Sequence, residues 1–149
     1  MSWLTSKGGS TEGTAARTDR LQSMALFSTL TQKELRVVRA LQHERDYLAG
    51  EVVFDQGEEG QALYVMLSGR VAIGLVGSTP DASFTMVAEL APGDFFGEMA
   101  LLDDAPRMAQ ARALEDCCLV AFFREDFMQL LETHPTIASK IAIQLARHM

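Results

Sequence analysis

Between residues 52 and 123 the chain is cut into short apolar segments by glycine and other turn residues. This rhythm restricts it to folds made of many short strands. The segments fall at 52–54, 62–67, 71–76, 84–90, 108–113 and 119–123. Gly50, Gly57, Gly60, Ser68-Gly69, Gly77-Ser78-Thr79-Pro80 and Pro92-Gly93 punctuate them. Strand-length runs with this spacing indicate a β-sandwich or β-roll. In 71–76, Val71, Ile73 and Leu75 share one face and Ala72, Gly74 and Val76 the other. Both faces are apolar or small, as expected where one packs on the core and the other lines a cavity or meets helices.

Helical patterns flank the strands. Thr31 and Glu34 stand at the spacing of a capping box, with Leu30 and Leu35 at that of a hydrophobic staple. They predict a helix over 32–41, with Leu35, Val38 and Leu41 on one side. A second helix is predicted from residue 124, with Glu125 and Asp126 near its positive end and Phe127, Leu130 and Leu131 inward. Pro135 suits the first turn of a third, whose Ile137, Ile141 and Leu145 recur every four residues. Residues 1–19 are rich in Gly, Ser and Thr and predict a flexible tail. Residues 20–149 are then a single domain without internal repeats.

The charge balance narrows the chemistry. Thirteen basic against twenty acidic side chains give a net charge of −7. A chain so charged has no general attraction for nucleic acid or anionic lipid, so an anionic ligand needs a local site. No apolar run approaches the ~20 residues of a membrane span, and no secretory signal opens the chain. The two cysteines, Cys117 and Cys118, are adjacent. Strand neighbours point to opposite faces and cannot bridge each other, so a reduced, cytoplasmic setting is expected. Asp103-Asp104 lacks His or Cys at ligand spacing and reads as a solvated turn; no metal site is expected. No Ser-His-Asp or Cys-His arrangement suggests catalysis.

One stretch, residues 93–109, carries chemistry. A turn opened by Gly97 exposes backbone N–H groups suited to phosphate oxygens. Arg107 adds a planar fork of donors that can pair with two such oxygens. Glu98 is an acceptor, suited to a sugar hydroxyl.

This stretch resembles the phosphate-binding cassette of cyclic nucleotide-binding domains, through Phe96-Gly97-Glu98-Met99-Ala100-Leu101-Leu102 and Pro106-Arg107-Met108-Ala109. The resemblance extends upstream through Leu26-Phe27, Ala49-Gly50-Glu51, Gln56-Gly57-Glu58, Leu63-Tyr64-Val65 and Ser68-Gly69-Arg70-Val71. Downstream it runs to 127–131 and His134-Pro135. It implies an α+β, mainly β fold: an antiparallel β-roll (jelly roll, double-stranded β-helix) with flanking N-terminal and C-terminal helices. It implies a non-enzymatic sensor, with phosphate on Gly97, Ala100 and Arg107 and the ribose 2′-hydroxyl on Glu98. Phe96, Met99 and Ala109 complete the cassette, and the base is expected over Ile73 and Val87. Met108 stands where many relatives carry Ala, Ser or Thr. It cannot donate to a purine, which makes cAMP a mild favourite over cGMP. The expected output is a shift of the terminal helices read by a protein partner, with no direct nucleic-acid contact or membrane insertion.

Relatives of the catabolite activator type continue as a longer helix into a DNA-binding domain. Here the sequence stops at Met149, leaving Leu145, Arg147, His148 and Met149 as the late candidates to cover a base. The alternative reading is an effectorless interaction domain with the same fold and a degenerate pocket. A metal-dependent β-roll enzyme is disfavoured, because His43, His134 and His148 lie outside the strands that would line such a site.

Overall fold

The computed structural model describes residues 24–77, 79 and 83–148. The tail expected over 1–19 lies outside them. A 3₁₀ turn, Ala25–Phe27, and helix α1, Gln32–Ala40, come first. Strands β1 (Gln42–Tyr47), β2 (Val52–Phe54), β3 (Ala62–Ser68), β4 (Val71–Val76), β5 (Phe84–Leu90) and β6 (Phe95–Phe96) follow. Next come the short helix α2 (Met99–Leu102), β7 (Gln110–Ala113) and β8 (Cys117–Phe123). Helices α3 (Arg124–Thr133) and α4 (Pro135–Arg147) complete the described chain.

The strands form two four-stranded antiparallel sheets, ordered β1-β8-β3-β6 and β2-β7-β4-β5. This is the expected β-roll with flanking helices. Alternation along β3 and β8 divides the apolar residues between two cores. Leu63, Val65, Leu67, Val120 and Phe122 face the helices and pack with Leu35, Phe127 and Ile141. Met66, Cys117 and Leu119 face the other sheet and pack with Phe54, Val71 and Ala111. Cys117 is therefore buried between the sheets and Cys118 half-buried on the helix side, neither in a disulfide. Burial pushes the Cys117 thiol up to about 11.

Some expectations change. β1 and β6 were not foreseen: β1 is polar along its length, and β6 has two residues. β7 begins at Gln110, since Met108 is 86% exposed and Pro106 sits in an isolated bridge to Glu59. The two-faced burial read into 71–76 holds only at its start. β4 and β5 run out beyond the body, and Leu75 is 46% exposed.

The capping box forms as predicted. Glu34 N–H donates to Thr31 Oγ1 at 3.2 Å, and Thr31 N–H donates to Glu34 Oε1 at 2.8 Å. The structure adds a partner from the far end of the chain: Lys140 Nζ on α4 donates to Glu34 Oε1 at 2.7 Å. The Lys140 hydrogen bond, then the Thr31 N–H, hold the Glu34 carboxyl below its ordinary 4.5, against the opposing effect of burial. A carboxyl depressed in the folded state stabilises above its unfolded pKa, and that stabilisation fades as pH falls through the folded value. Glu34→Gln is therefore expected to flatten the acid limb of a urea-stability profile. A limb as steep as wild type would show that the α1–α4 tie contributes nothing.

Candidate functional site

Between β6 and β7 the chain makes a glycine turn, the single-turn helix α2, a short loop and then Arg107. Gly97 has φ +74°, a conformation that L side chains rarely adopt. Ala100 N–H then bonds Gly97 O, and Leu101 N–H bonds Glu98 O, at 3.1 Å each. The N–H groups of Glu98 and Met99, one step earlier, are those a helix start leaves for an outside acceptor. Ala100 and Leu101 are buried and anchor α2, while Met99 and Leu102 are about half exposed.

Arg107 is fixed by the surrounding backbone. Its N–H bonds Glu58 O, and Gly57 N–H bonds its carbonyl, each at 2.7 Å. The guanidinium donates through Nη2 to Ala62 O at 2.7 Å and through Nη1 to Gly97 O at 3.3 Å. Its Cζ lies 4.0 Å from the centroid of the Phe54 ring, at cation–π distance. Two glycines give it room. A Cβ on Gly60 would stand 3.0 Å from Arg107 Nε, and one on Gly97 would stand 2.7 Å from Nη1. The Nε–H is buried and has no hydrogen-bond partner. Burial holds the guanidinium below the usual arginine value, an effect opposed by Tyr64, Glu58 and Glu98. The result is a half-buried cation with one buried donor still unspent, beside an open cavity.

That cavity measures about 420 Å³. Residues 96–100, 107–109 and Ile73 all line it, so nine of the ten positions expected from sequence share one wall. Val87 is the correction. β4 and β5 pair Ile73 with Ala88 and Gly74 with Met86, so Val87 is the extra residue of a bulge. It is 60% exposed and off the cavity wall; Ala88 and Leu90 take its place. Phe95, Ala105 and Pro106, inside the 93–109 stretch but not named as binding residues, also line the cavity, and so does Phe54, which escaped the sequence reading. Glu98 and Arg107 are the only ionisable groups among the lining residues. Of the late residues proposed to cover a base, Leu145 is buried in the helix-side core. His148 stands edge-on to Phe95 at 6.2 Å, and Met149 lies outside the described residues.

Arg124, the first residue of α3, was also missed. Its Nη1 lies 3.0 Å from Gly60 O, 3.0 Å from Ala100 O and 2.8 Å from Asp103 O. One guanidinium thus ties α2 and the Gly60 loop to the terminal helices. Elsewhere, Glu44 and Asp46 of β1 and Cys118 of β8 bring ligand-type atoms within 4.8 Å of one another. The sequence reading did not foresee β1, which brings these acids beside Cys118. Among the described residues, no helix is long and apolar enough to cross a membrane.

The sequence profile of the cyclic nucleotide-binding domain matches residues 44–134, and the chain belongs to that family. It is 38% identical over 129 residues to the cyclic AMP receptor protein of Thermus thermophilus, covering 87% of this chain and 59% of that protein. It therefore spans less than two thirds of that relative. The N-terminal domain of a transcriptional regulator from Streptomyces coelicolor superposes with a TM-score of 0.75 at 29% identity, covering 87% of this chain and 89% of that one. The regulatory domain of Toxoplasma gondii PKA, solved with cAMP, superposes with a TM-score of 0.65 at 30% identity, covering 75% and 42%.

Gly97→Ala is expected to cost about 1–3 kcal/mol, the usual range for a side chain forced into a disfavoured backbone region. Its Cβ also displaces the guanidinium. Urea unfolding of the ligand-free protein measures this, and an unchanged midpoint would refute the arrangement around Arg107.

Proposed function

We propose that the chain is a non-enzymatic, cytoplasmic sensor of a cyclic nucleotide, with cAMP favoured over cGMP, built on one domain over residues 20–149. One observation carries the reading: a half-buried arginine, fixed by backbone carbonyls, at the wall of a cavity otherwise apolar except for one carboxylate. Arg107 neutralises the phosphate, and the N–H groups of the 97–100 turn share its oxygens. Glu98 accepts from the ribose 2′-hydroxyl. The base lies along Ile73, Ala88 and Leu90, with Met99 and Met108 at the rim. An apolar wall with a single acid and a single base offers no nucleophile–base pair, which supports binding over catalysis.

The output follows from Arg124. Closing the 97–102 segment on a phosphate moves the Ala100 and Asp103 carbonyls, and Arg124 passes the movement to α3 and α4. A protein partner reads the helices; a chain of net charge −7 does not engage nucleic acid or lipid by itself.

Thermal unfolding with and without cAMP tests the reading. A ligand at about 100 times its dissociation constant adds ~2.7 kcal/mol of stability. No shift with either cAMP or cGMP at millimolar concentration would leave the effectorless interaction domain as the better description. Arg107→Ala is expected to lose ~2–5 kcal/mol of binding, as when one side of a buried charge pair is truncated. Arg107→Lys recovers part of that loss, because a point charge cannot make the forked contact. Calorimetry showing unchanged affinity in Arg107→Ala would falsify the assignment.

Glu98→Gln should weaken binding less, with a smaller cost for a 2′-deoxy ligand; equal discrimination by wild type and variant would remove Glu98 from the ribose role. Base selectivity is expected to be poor. Met108 cannot donate to a purine, and the wall offers the base mainly apolar contact. The affinities for cAMP and cGMP should differ by less than about tenfold, which is under ~1.4 kcal/mol. Paired titrations differing a hundredfold would mean that another group reads the base.

A further inference from the structure

The described methionines fall into two groups. Met24 and Met66 are core residues, 4% and 0% exposed. Met86, Met99, Met108 and Met128 are 52%, 53%, 86% and 41% exposed. Met99 and Met108 line the cavity beside Arg107, while Met86 and Met128 do not. The two rim methionines are held in the open by ordered backbone. Arg107 N–H donates to Glu58 O and Gly57 N–H to Arg107 O, at 2.7 Å each, which pins the chain next to Met108. Buried Ala100 and Leu101 anchor α2 and leave Met99 facing outward.

A thioether in water is open to oxidation, and one in a core is shielded. Oxidation turns a soft apolar sulfur into a polar sulfoxide, whose oxygen accepts hydrogen bonds and donates none. At this rim the change acts twice in the same direction. The base loses apolar contact. A new acceptor oxygen also enters a cavity whose carboxylate, Glu98, already disfavours anions and whose only lining cation is Arg107.

We propose that Met99 and Met108 are a modification site, at which oxidation by a hydroperoxide makes the cavity reject a cyclic nucleotide; the inference rests on the sensor reading above. The sulfur lone pair attacks the hydroxyl oxygen of the peroxide. The S–O bond forms as the O–O bond breaks. The proton of the attacked hydroxyl passes to the departing oxygen, which leaves as water or an alcohol. Sulfur is oxidised and the peroxide reduced. Methionine sulfoxide reductases reverse the step with a dithiol, which takes the oxygen as water and becomes a disulfide. The cavity thus answers to two signals, a nucleotide that fills it and an oxidant that closes it.

The test treats the full 149-residue chain with millimolar hydrogen peroxide, maps sulfoxides by peptide mass spectrometry and measures cAMP affinity by calorimetry. Met99 and Met108 should carry sulfoxide while Met24 and Met66 stay reduced and the circular dichroism spectrum is unchanged. Affinity should fall about tenfold, the order expected from losing one side chain's apolar contact. Dithiothreitol alone should not restore it, which separates the effect from the cysteines; dithiothreitol with both methionine sulfoxide reductases should. Met99→Leu/Met108→Leu should bind equally well before and after peroxide, whatever its starting affinity. Met86→Leu/Met128→Leu should lose affinity as wild type does. Rim methionines that stay reduced, an oxidised wild type that binds as tightly as before, a leucine-rim variant that still responds, or a loss that dithiothreitol alone reverses would each overturn the proposal and leave the sensor reading standing. Untreated protein that binds neither cAMP nor cGMP would overturn both.

Discussion

The Arg107 guanidinium is the interaction around which the site is assembled. Three separate stretches of chain converge on it: the Ala62 carbonyl at the start of β3, the Gly97 carbonyl after β6, and the Phe54 ring at the end of β2. Its own backbone closes a bridge to Gly57 and Glu58. Taking a cation this far out of water is costly unless its donors are met. Two carbonyls and an aromatic face offset most of that cost, and Nε remains unmet.

This arrangement also answers the overall charge. A net charge of −7 sets up a field that disfavours anions, but exposed charges beyond a Debye length are largely screened. A half-buried guanidinium is screened much less and acts over a few ångströms. Placement outweighs number: the cavity lining carries one cation and one carboxylate, while the excess of acids lies elsewhere on the chain.

How much of this was legible in sequence depended on the kind of signal. Period-two alternation put Cys117 and Cys118 on opposite faces, and the T-x-x-E spacing marked the start of α1. Glycine followed by glutamate, with an arginine nine residues on, pointed to eight positions that line one cavity, and the face of β4 to a ninth, Ile73. Signals without a period were lost. β1 reads Gln-His-Glu-Arg-Asp-Tyr because an edge strand needs no apolar face, so nothing announced it or the acids it places beside Cys118. Val87 was misjudged because a bulge shifts the faces of a strand and leaves no composition behind. Phe54 ends a three-residue segment, too short to show which side it faces. Arg124 sits where a strand becomes a helix, a position at which an arginine usually means only solvent.

Arg124 has a consequence of its own. Its three acceptors belong to α2, to the loop after it and to the segment before β3, and all lie within reach of one nitrogen. A nitrogen with two hydrogens cannot serve three carbonyls fully at once, so the contacts compete. The junction is a shared clasp: one nitrogen holds three carbonyls from two different stretches of chain. α3 begins at that residue and α4 follows it, so both helices are joined to the roll through a fastening with more acceptors than donors.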